Sequence, residues 1–355
     1  MSSISTFVEC SNLQGQLSDI FCTGRAEDTP LINFLFSAYN NGGLLQQRAI
    51  PSIGKKRTVE LIYSPRVLES EVKSTVNRDC VAENVRGFTS ELYDLDTSTG
   101  VEIEKTFDIV DLITICESND MYMANLIQEM IDGVKRKMET QAAVYLVAGT
   151  GAFSTKDLDQ DGTAIIGNEK IVSTKYSAAL GGAPNNRAHS AIMQTARLNS
   201  YCSAPIIAGE YEIAQYYDDI KIGCCSDKGI NFDAINPSVP LILRSYRITD
   251  ALSSVLKFLS FSTGAALPIQ FNLYGGSMAN MANDDTNYAG IITDPATGID
   301  FDLRITKFQV GKCTSVSVII GTAWDLFFPP AGLYAIGDHL RGVNFVNKYL
   351  ITNPA

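Results

Sequence analysis

The chain has 355 residues, 45% of them hydrophobic, with 28 basic against 39 acidic side chains and a formal net charge of −11. That length and apolar content support more than one hydrophobic core, with two domains as the default expectation, and the negative balance argues against nucleic-acid binding through a basic patch. No apolar run approaches the roughly 20 residues that span a bilayer, and residues 1–24, which lack Lys and Arg, form neither a secretory leader nor a basic RNA-neutralising arm, so a soluble, cytoplasmic product is expected.

Residues 1–48 lack sustained periodicity and end in YNNGGLLQQRA, the pattern of an extended arm lying over other structure. Between Pro51 and Asp111, RTVELIYSP, TSELYDLD and GVEIEKTFDIVDL each alternate as strands do. Pro65 and the polar stretch SEVKSTVNRD separate the first two, which makes a long β-hairpin. Its middle, Val67 to Arg86, is too polar to build a core of its own, so the hairpin needs another surface to lie on.

A long helix is expected at 119–148. Met123, Leu126, Ile127, Met130, Ile131, Val134, Met138, Ala142, Tyr145 and Leu146 recur at the three-and-four spacing of one helix face. Ser118 or Asn119 can cap it, Asp120 suits the positive end of its dipole, and Gly149 can stop it in the left-handed conformation. At 1.5 Å per residue it would run about 45 Å, the width of a whole domain.

GTGAFSTKDLDQDGTAIIGNE follows as a turn region. Then HSAIMQTARLNSY reads as helix, PIIAG as a short buried strand and EYEIAQYYDDI as helix, an α/β or α+β subdomain from about 175 to 285. The last 60 residues are mainly β: FDLRITKFQVGK, TSVSVIIGTAWDLFFP and VNFVNKYLIT are strands divided by Gly and Pro.

Charge is unevenly distributed. Pro51 to Arg86 holds seven basic residues against five acidic ones, a net of +2, whereas Gly87 to Asp132 holds eleven acids against Lys105 alone, a net of −10. Two adjacent segments therefore carry opposite fields.

Catalytic chemistry is sparse. The two histidines, His189 and His339, belong to no metal-binding or triad pattern and are expected to be exposed or capping. There is no GxSxG, and Gly54-Lys55 lacks both the first glycine and the Ser or Thr of a phosphate loop. Asp157, Asp159 and Asp161 before Gly162 space three carboxylates as a calcium loop does. Position twelve, however, is Asn168, so the bidentate closing ligand is missing and a polar surface turn is expected. The eight cysteines are scattered, with none spaced as a zinc or redox motif, and are expected to be free buried thiols. No catalytic, cofactor-binding or metal residue is assigned.

This order of parts, with LVAGTGAF closing the long helix, resembles the major capsid proteins of tailed bacteriophages, the Hong Kong 97-like shell fold that encapsulins also use, over about residues 1–352. The resemblance implies an α+β chain with an N-terminal arm (1–50) and an extended β-hairpin or E-loop (51–96). It also implies a peripheral domain (97–174 and 286–355) with a spine helix (119–148), and an axial domain (175–285). It implies a non-enzymatic subunit without cofactor that assembles with copies of itself, as pentamers and hexamers, into an icosahedral shell around double-stranded DNA. The other implied partners are scaffold and portal proteins, not a membrane, and the location is the virion after synthesis in host cytoplasm. A hairpin that cannot bury itself is completed by a neighbouring copy. Lys55, Lys56 and Arg57 at its base, with Arg66, Arg78 and Arg86 further out, are then expected to meet the acidic segment of that neighbour. The alternatives are an encapsulin-type shell around cargo proteins, disfavoured by chain length, and an enzyme with a calcium-stabilised loop.

Overall fold

The computed structural model describes residues 29–40, 46–50, 56–63, 89–96, 100–108, 120–151, 165–166, 169–172, 187–198, 204–223, 240–263, 265–272, 286–294, 297–311, 313–328 and 346–351. Its backbone is the long helix α2 (Asp120–Ala148), 29 residues and about 43 Å at the usual rise. Ile127, Met130, Ile131, Val134, Met138, Ala142 and Leu146 are buried along one side, while Glu129, Arg136, Lys137 and Thr140 face solvent.

Residues expected to form only an arm contribute to this core. PLINFLFSAYN is the helix α1 (Pro30–Asn40), with Leu31, Ile32, Leu35 and Phe36 buried against α2. Pro30 fits its first position, where the missing N–H costs no hydrogen bond. Asn33, Ser37 and Asn40 recur at the three-and-four spacing of a polar helix face, a short period that is lost within the otherwise aperiodic residues 1–48. Gln46–Ile50 is strand β1 rather than arm. It pairs antiparallel with β2 (Lys56–Tyr63), which pairs with β3 (Thr89–Asp96), so the expected hairpin has a third strand.

A five-stranded antiparallel sheet packs on α2. Its centre is β13 (Cys313–Phe327), flanked on one side by β4 (Gly100–Asp108) and on the other by β12 (Asp300–Val310) and β10 (Leu267–Phe271), with β11 (Asn287–Thr293) outside β12. Strand alternation turns Val101, Phe301, Leu303, Ile305, Val316, Val318, Ile320 and Trp324 toward α1 and α2. The single tryptophan finishes its polar edge by donating from Nε1 to Gln141 Oε1 of α2 at 2.9 Å.

The second sheet has six strands in the order β5 (Ile165–Ile166), β6 (Glu169–Val172), β14 (Val346–Ile351), β9 (Lys257–Phe261), β7 (Ile206–Gly209), β8 (Leu241–Arg244). β6 runs parallel to β14 and β7 to β8; the other pairs are antiparallel. Both faces are covered. Ile206, Ala208, Leu259, Phe261 and Val346 join the core around α2. Ile207, Phe258, Tyr349, Ile351 and Val172 form a second core with the helices α3 (Arg187–Leu198) and α4 (Tyr211–Gly223). There Phe258 stacks on Tyr349 with ring centroids 4.9 Å apart.

Sheet membership crosses the boundaries expected at 174/175 and 285/286. β5, β6 and β14 lie in the six-stranded sheet and β10 in the five-stranded one. Pairing between strands distant in sequence is decided by which face is left to bury, and no local pattern reports it.

Three strands of the larger sheet share one carboxylate. Glu169 Oε1 of β6 accepts from Lys257 Nζ of β9 at 2.7 Å and lies 3.0 Å from Lys348 Nζ of β14. Burial pulls this carboxyl up, but the hydrogen bonds from the two lysines outweigh it and hold it below its ordinary 4.5. A lowered folded-state value adds stability above the unfolded value, and that stability is lost as pH falls through the folded one. The stability advantage of the wild type over Glu169→Gln, read from urea midpoints, is therefore expected in full at neutral pH and to shrink as pH drops below about 4.5. A difference that stays constant through that range would show that the lysines do not stabilise the ionised form.

Candidate functional site

Among the described residues no group of three His, Cys, Asp or Glu side chains is placed to hold a metal ion, and no helix is long and apolar enough to cross a membrane. Asp157, Asp159, Asp161 and His339 lie outside the described residues. Cys313 is a free thiol but is exposed rather than buried as expected, at the start of β13; the other cysteines lie outside the described residues.

His189 departs from expectation. It is 8% exposed, in α3, and is neither a surface nor a capping group. Its Nδ1 lies 3.3 Å from the Tyr217 hydroxyl, its backbone N–H donates to the Tyr216 hydroxyl at 3.2 Å, and its ring meets Tyr217 edge-on. Burial lowers its pKa and favours the neutral ring. The helix that carries it is amphipathic with Ala188, Ala191 and Ile192 inward, so the histidine is a polar member of the second core.

The surface with most to offer is the hairpin and the face of the five-stranded sheet on which it is rooted. Leu95 is buried among Leu267, Ile269 and Phe327. Tyr93 meets Phe327 edge-on at 5.6 Å, and its hydroxyl donates to Asp325 Oδ2 at 2.5 Å. Burial, followed by the hydrogen bond and charge of Asp325, raises the Tyr93 phenol far above its ordinary range and keeps it a donor. On the other side of β3, Leu92 is 64% exposed and Asp94 is exposed.

Of the expected contact residues, Lys56 and Arg57 fall on β2, in register with Asp96 and Leu95 respectively. Lys56 thus stands opposite an acidic residue of its own sheet. Lys55, Arg66, Arg78 and Arg86 lie outside the described residues.

Part of the acidic segment is organised on the same side of the sheet as the hairpin root. Glu102, Glu104 and Asp108 occupy alternate positions of β4, in register with Gly321, Ile319 and Ser315 of β13. Asp325 and Phe327 share their parity on β13, so one face carries both the root and the acids. Glu102 and Glu104 are exposed, and Glu104 Oε1 accepts from Ser317 Oγ at 2.5 Å. Between root and acids the sheet is lined by small residues such as Gly321. A Cβ there would lie 2.6 Å from Glu102 Cβ and 2.7 Å from the Val101 carbonyl oxygen, so only glycine fits.

Sequence reasoning missed a polar stripe inside α2. Gln128, Asp132, Lys135 and Glu139 follow one another at helical spacing, and all but the half-buried Asp132 are buried. Burial raises the carboxyls of Asp132 and Glu139, while Glu139 is compensated by backbone hydrogen bonds from Ile32 and Leu31, by Ser245 and by the charge of Arg247. The spacing is visible in the sequence, but a charged residue beside an apolar stripe ordinarily belongs to its solvated margin.

No protein-family model matches the sequence, and no curated protein sequence matches it. Solved structures do. The capsid asymmetric unit of Cyanophage A-1(L) is similar with a TM-score of 0.50 and 8% identity, over 92% of this chain and 94% of that one. The capsid structure of Cyanophage P-SCSP1u has a TM-score of 0.42 and 10% identity, over 86% of each chain. The asymmetric unit of the bacteriophage PhiM1 mature capsid has a TM-score of 0.37 and 10% identity, over 85% of this chain and 83% of that one. The first of these spans nearly the whole of both chains and assigns this α+β chain to the Hong Kong 97-like fold.

The root predicts a local stability effect. Leu95→Ala should cost about 2–5 kcal/mol of the root's stability, as for other buried leucines, and should raise hydrogen exchange in residues 89–96 and 56–63. The amides of α2 should keep their protection. Equal protection of β3 in wild type and variant would show that Leu95 is not what holds the hairpin.

Proposed function

We propose that the chain is a major capsid protein that assembles with copies of itself into the icosahedral shell of a tailed, double-stranded DNA bacteriophage. The observation that carries this reading is the near-complete two-way overlap with a phage capsid subunit. The hairpin supports it: its described packing on the rest of the chain is at the root, through Tyr93 and Leu95, while Leu92 on the other face is open to solvent. A hairpin strand with one face anchored and the other open suits a contact with another copy. Heterologous contacts of that kind close into rings, here pentamers and hexamers. The role is structural rather than catalytic, the location is the virion capsid after synthesis in host cytoplasm, and scaffold and portal proteins are the further partners. The acidic balance suits a container that does not grip the phosphates of its genome.

In this reading Lys55, Lys56, Arg57, Arg66, Arg78 and Arg86 of one copy approach the Glu102 and Glu104 face of the next. Opposed fields steer encounter and orientation, and each exposed pair contributes only about 0.2–1 kcal/mol. Single changes should therefore do little.

Purified protein should form closed shells in negative stain, or pentamers and hexamers by sizing. A monomer at high concentration and low salt would overturn the reading. Reversal of Lys55, Lys56 and Arg57 to Glu should prevent closure while leaving a cooperative melt, and added salt should weaken wild-type assembly because screening acts within about 8 Å at physiological ionic strength. Since reversing Lys56 sets an acid opposite Asp96 in its own sheet, the triple reversal of Arg66, Arg78 and Arg86 serves as the independent variant. Normal shells from both variants at low salt would mean that apolar contacts hold the hairpin instead.

A further inference from the structure

One turn of α2 makes two buried polar contacts that reach different sheets. Lys135 Nζ lies 2.8 Å from Asp294 Oδ2, with side chains 4% and 0% exposed. Asp294 sits in the turn between β11 and β12 and is itself fixed on three sides. Its N–H donates to the Ile299 carbonyl at 2.8 Å, its carbonyl accepts from Gly298 N–H at 2.7 Å, and its Oδ2 accepts from Thr297 Oγ1 at 2.6 Å. Four residues along the helix, Glu139 Oε1 accepts from Ser245 Oγ at 3.0 Å. Ser245 follows β8 and is the N-cap residue of the short helix α5 (Tyr246–Leu252), and its own N–H donates to the Gly209 carbonyl at the end of β7 at 3.0 Å. The same carboxylate accepts Leu31 N–H at 3.1 Å and Ile32 N–H at 2.7 Å, where α1 begins.

Lys135 therefore holds the five-stranded sheet and Glu139 the six-stranded one. The apolar core between the sheets is continuous, but burial of apolar area is non-directional and does not by itself single out one angle between the layers. Both contacts are directional: displacing Asp294 leaves the Lys135 charge buried without its acid, and removing Ser245 takes away one of the hydrogen bonds that hold the Glu139 carboxylate in place.

We propose that the Lys135–Asp294 and Glu139–Ser245 contacts form a joint that fixes the angle between the two sheets, and that this angle sets the curvature, and so the diameter, of the assembled shell. The second step rests on the shell-forming reading above. Copies that met through both sheets and the hairpin would close into rings of five and six without gaps only if the angle between the sheets stayed nearly the same in each copy. Lys135, Asp294, Glu139 and Ser245 are positioning residues in this scheme.

The test has two readouts. Spin-labelled amino acids are incorporated at the exposed positions Asp250, at the end of α5, and Gln309, near the β12 tip, so that native cysteines are not labelled. The distance distribution is then measured in dissociated subunits of the wild type, of Lys135→Met with Asp294→Asn, of Ser245→Ala and of Ser245→Thr. Replacing a buried ion pair by neutral groups of similar volume is often tolerated, and Ser245→Ala carries the test if the double variant does not fold. The expected result is a broadened or shifted distribution for the double variant and for Ser245→Ala, with Ser245→Thr, which keeps the hydroxyl, restoring the wild-type distribution. Wild-type centre and width in every folded variant would overturn the joint. Electron microscopy of assembled material should show one particle diameter for the wild type and several for the loosened variants. If the distances broaden while the diameter stays single, the curvature step is overturned. If the distances broaden but the wild type forms no closed particle, the joint stands, and the curvature step falls together with the capsid reading.

Discussion

The largest core among the described residues is built on the buried side of one helix. α2 has α1 against it, the inner face of the five-stranded sheet on one flank and one face of the six-stranded sheet on another, and the buried residues of all four form a single cluster. A helix that backs two sheets must be long, and it must be apolar over an arc wider than one stripe. It is also where a polar residue costs most unless it is paired. Glu139 and Lys135 are tolerated there because each finds a partner that also needs one. Glu139 takes N–H groups of the first turn of α1, which have no intrahelical acceptor, and Lys135 takes the carboxylate that organises the β11–β12 turn.

The hairpin obeys the opposite logic. Its root is anchored by one apolar side chain, one aromatic edge contact and one short hydroxyl–carboxylate hydrogen bond. An isolated β-ribbon of this kind is marginal in water unless something covers a face. The root supplies that cover for a few residues of β3. The third strand, β1, adds hydrogen bonds along the ribbon.

The two sheets differ in a way that matches their surroundings. The six-stranded sheet is mixed, with Ile206, Ile207, Phe258 and Leu259 alternating between two cores, so its strands are short and apolar on both faces. The five-stranded sheet is antiparallel and one-sided: its strands are longer, and its outer face carries Glu102, Glu104 and Arg304 in the open. That outer face also receives the hairpin root.

The long helix, the alternating strands of residues 56–63, 89–96 and 300–327, and the helices carrying His189 and Tyr216 were legible in the sequence because each has a local period that burial of one face enforces. The separation of opposite charges along the chain was equally plain. The placement of β14 beside β6 and β9, of β10 beside β13 and of Pro30–Asn40 in the core was decided by tertiary structure alone, since a short segment does not report which distant element it packs against. So was the inward turn of Lys135, Glu139 and His189. A side chain's charge is written in the sequence, but whether it can be buried depends on a partner supplied from more than a hundred residues away, as Asp294, Ser245 and Leu31 are for α2.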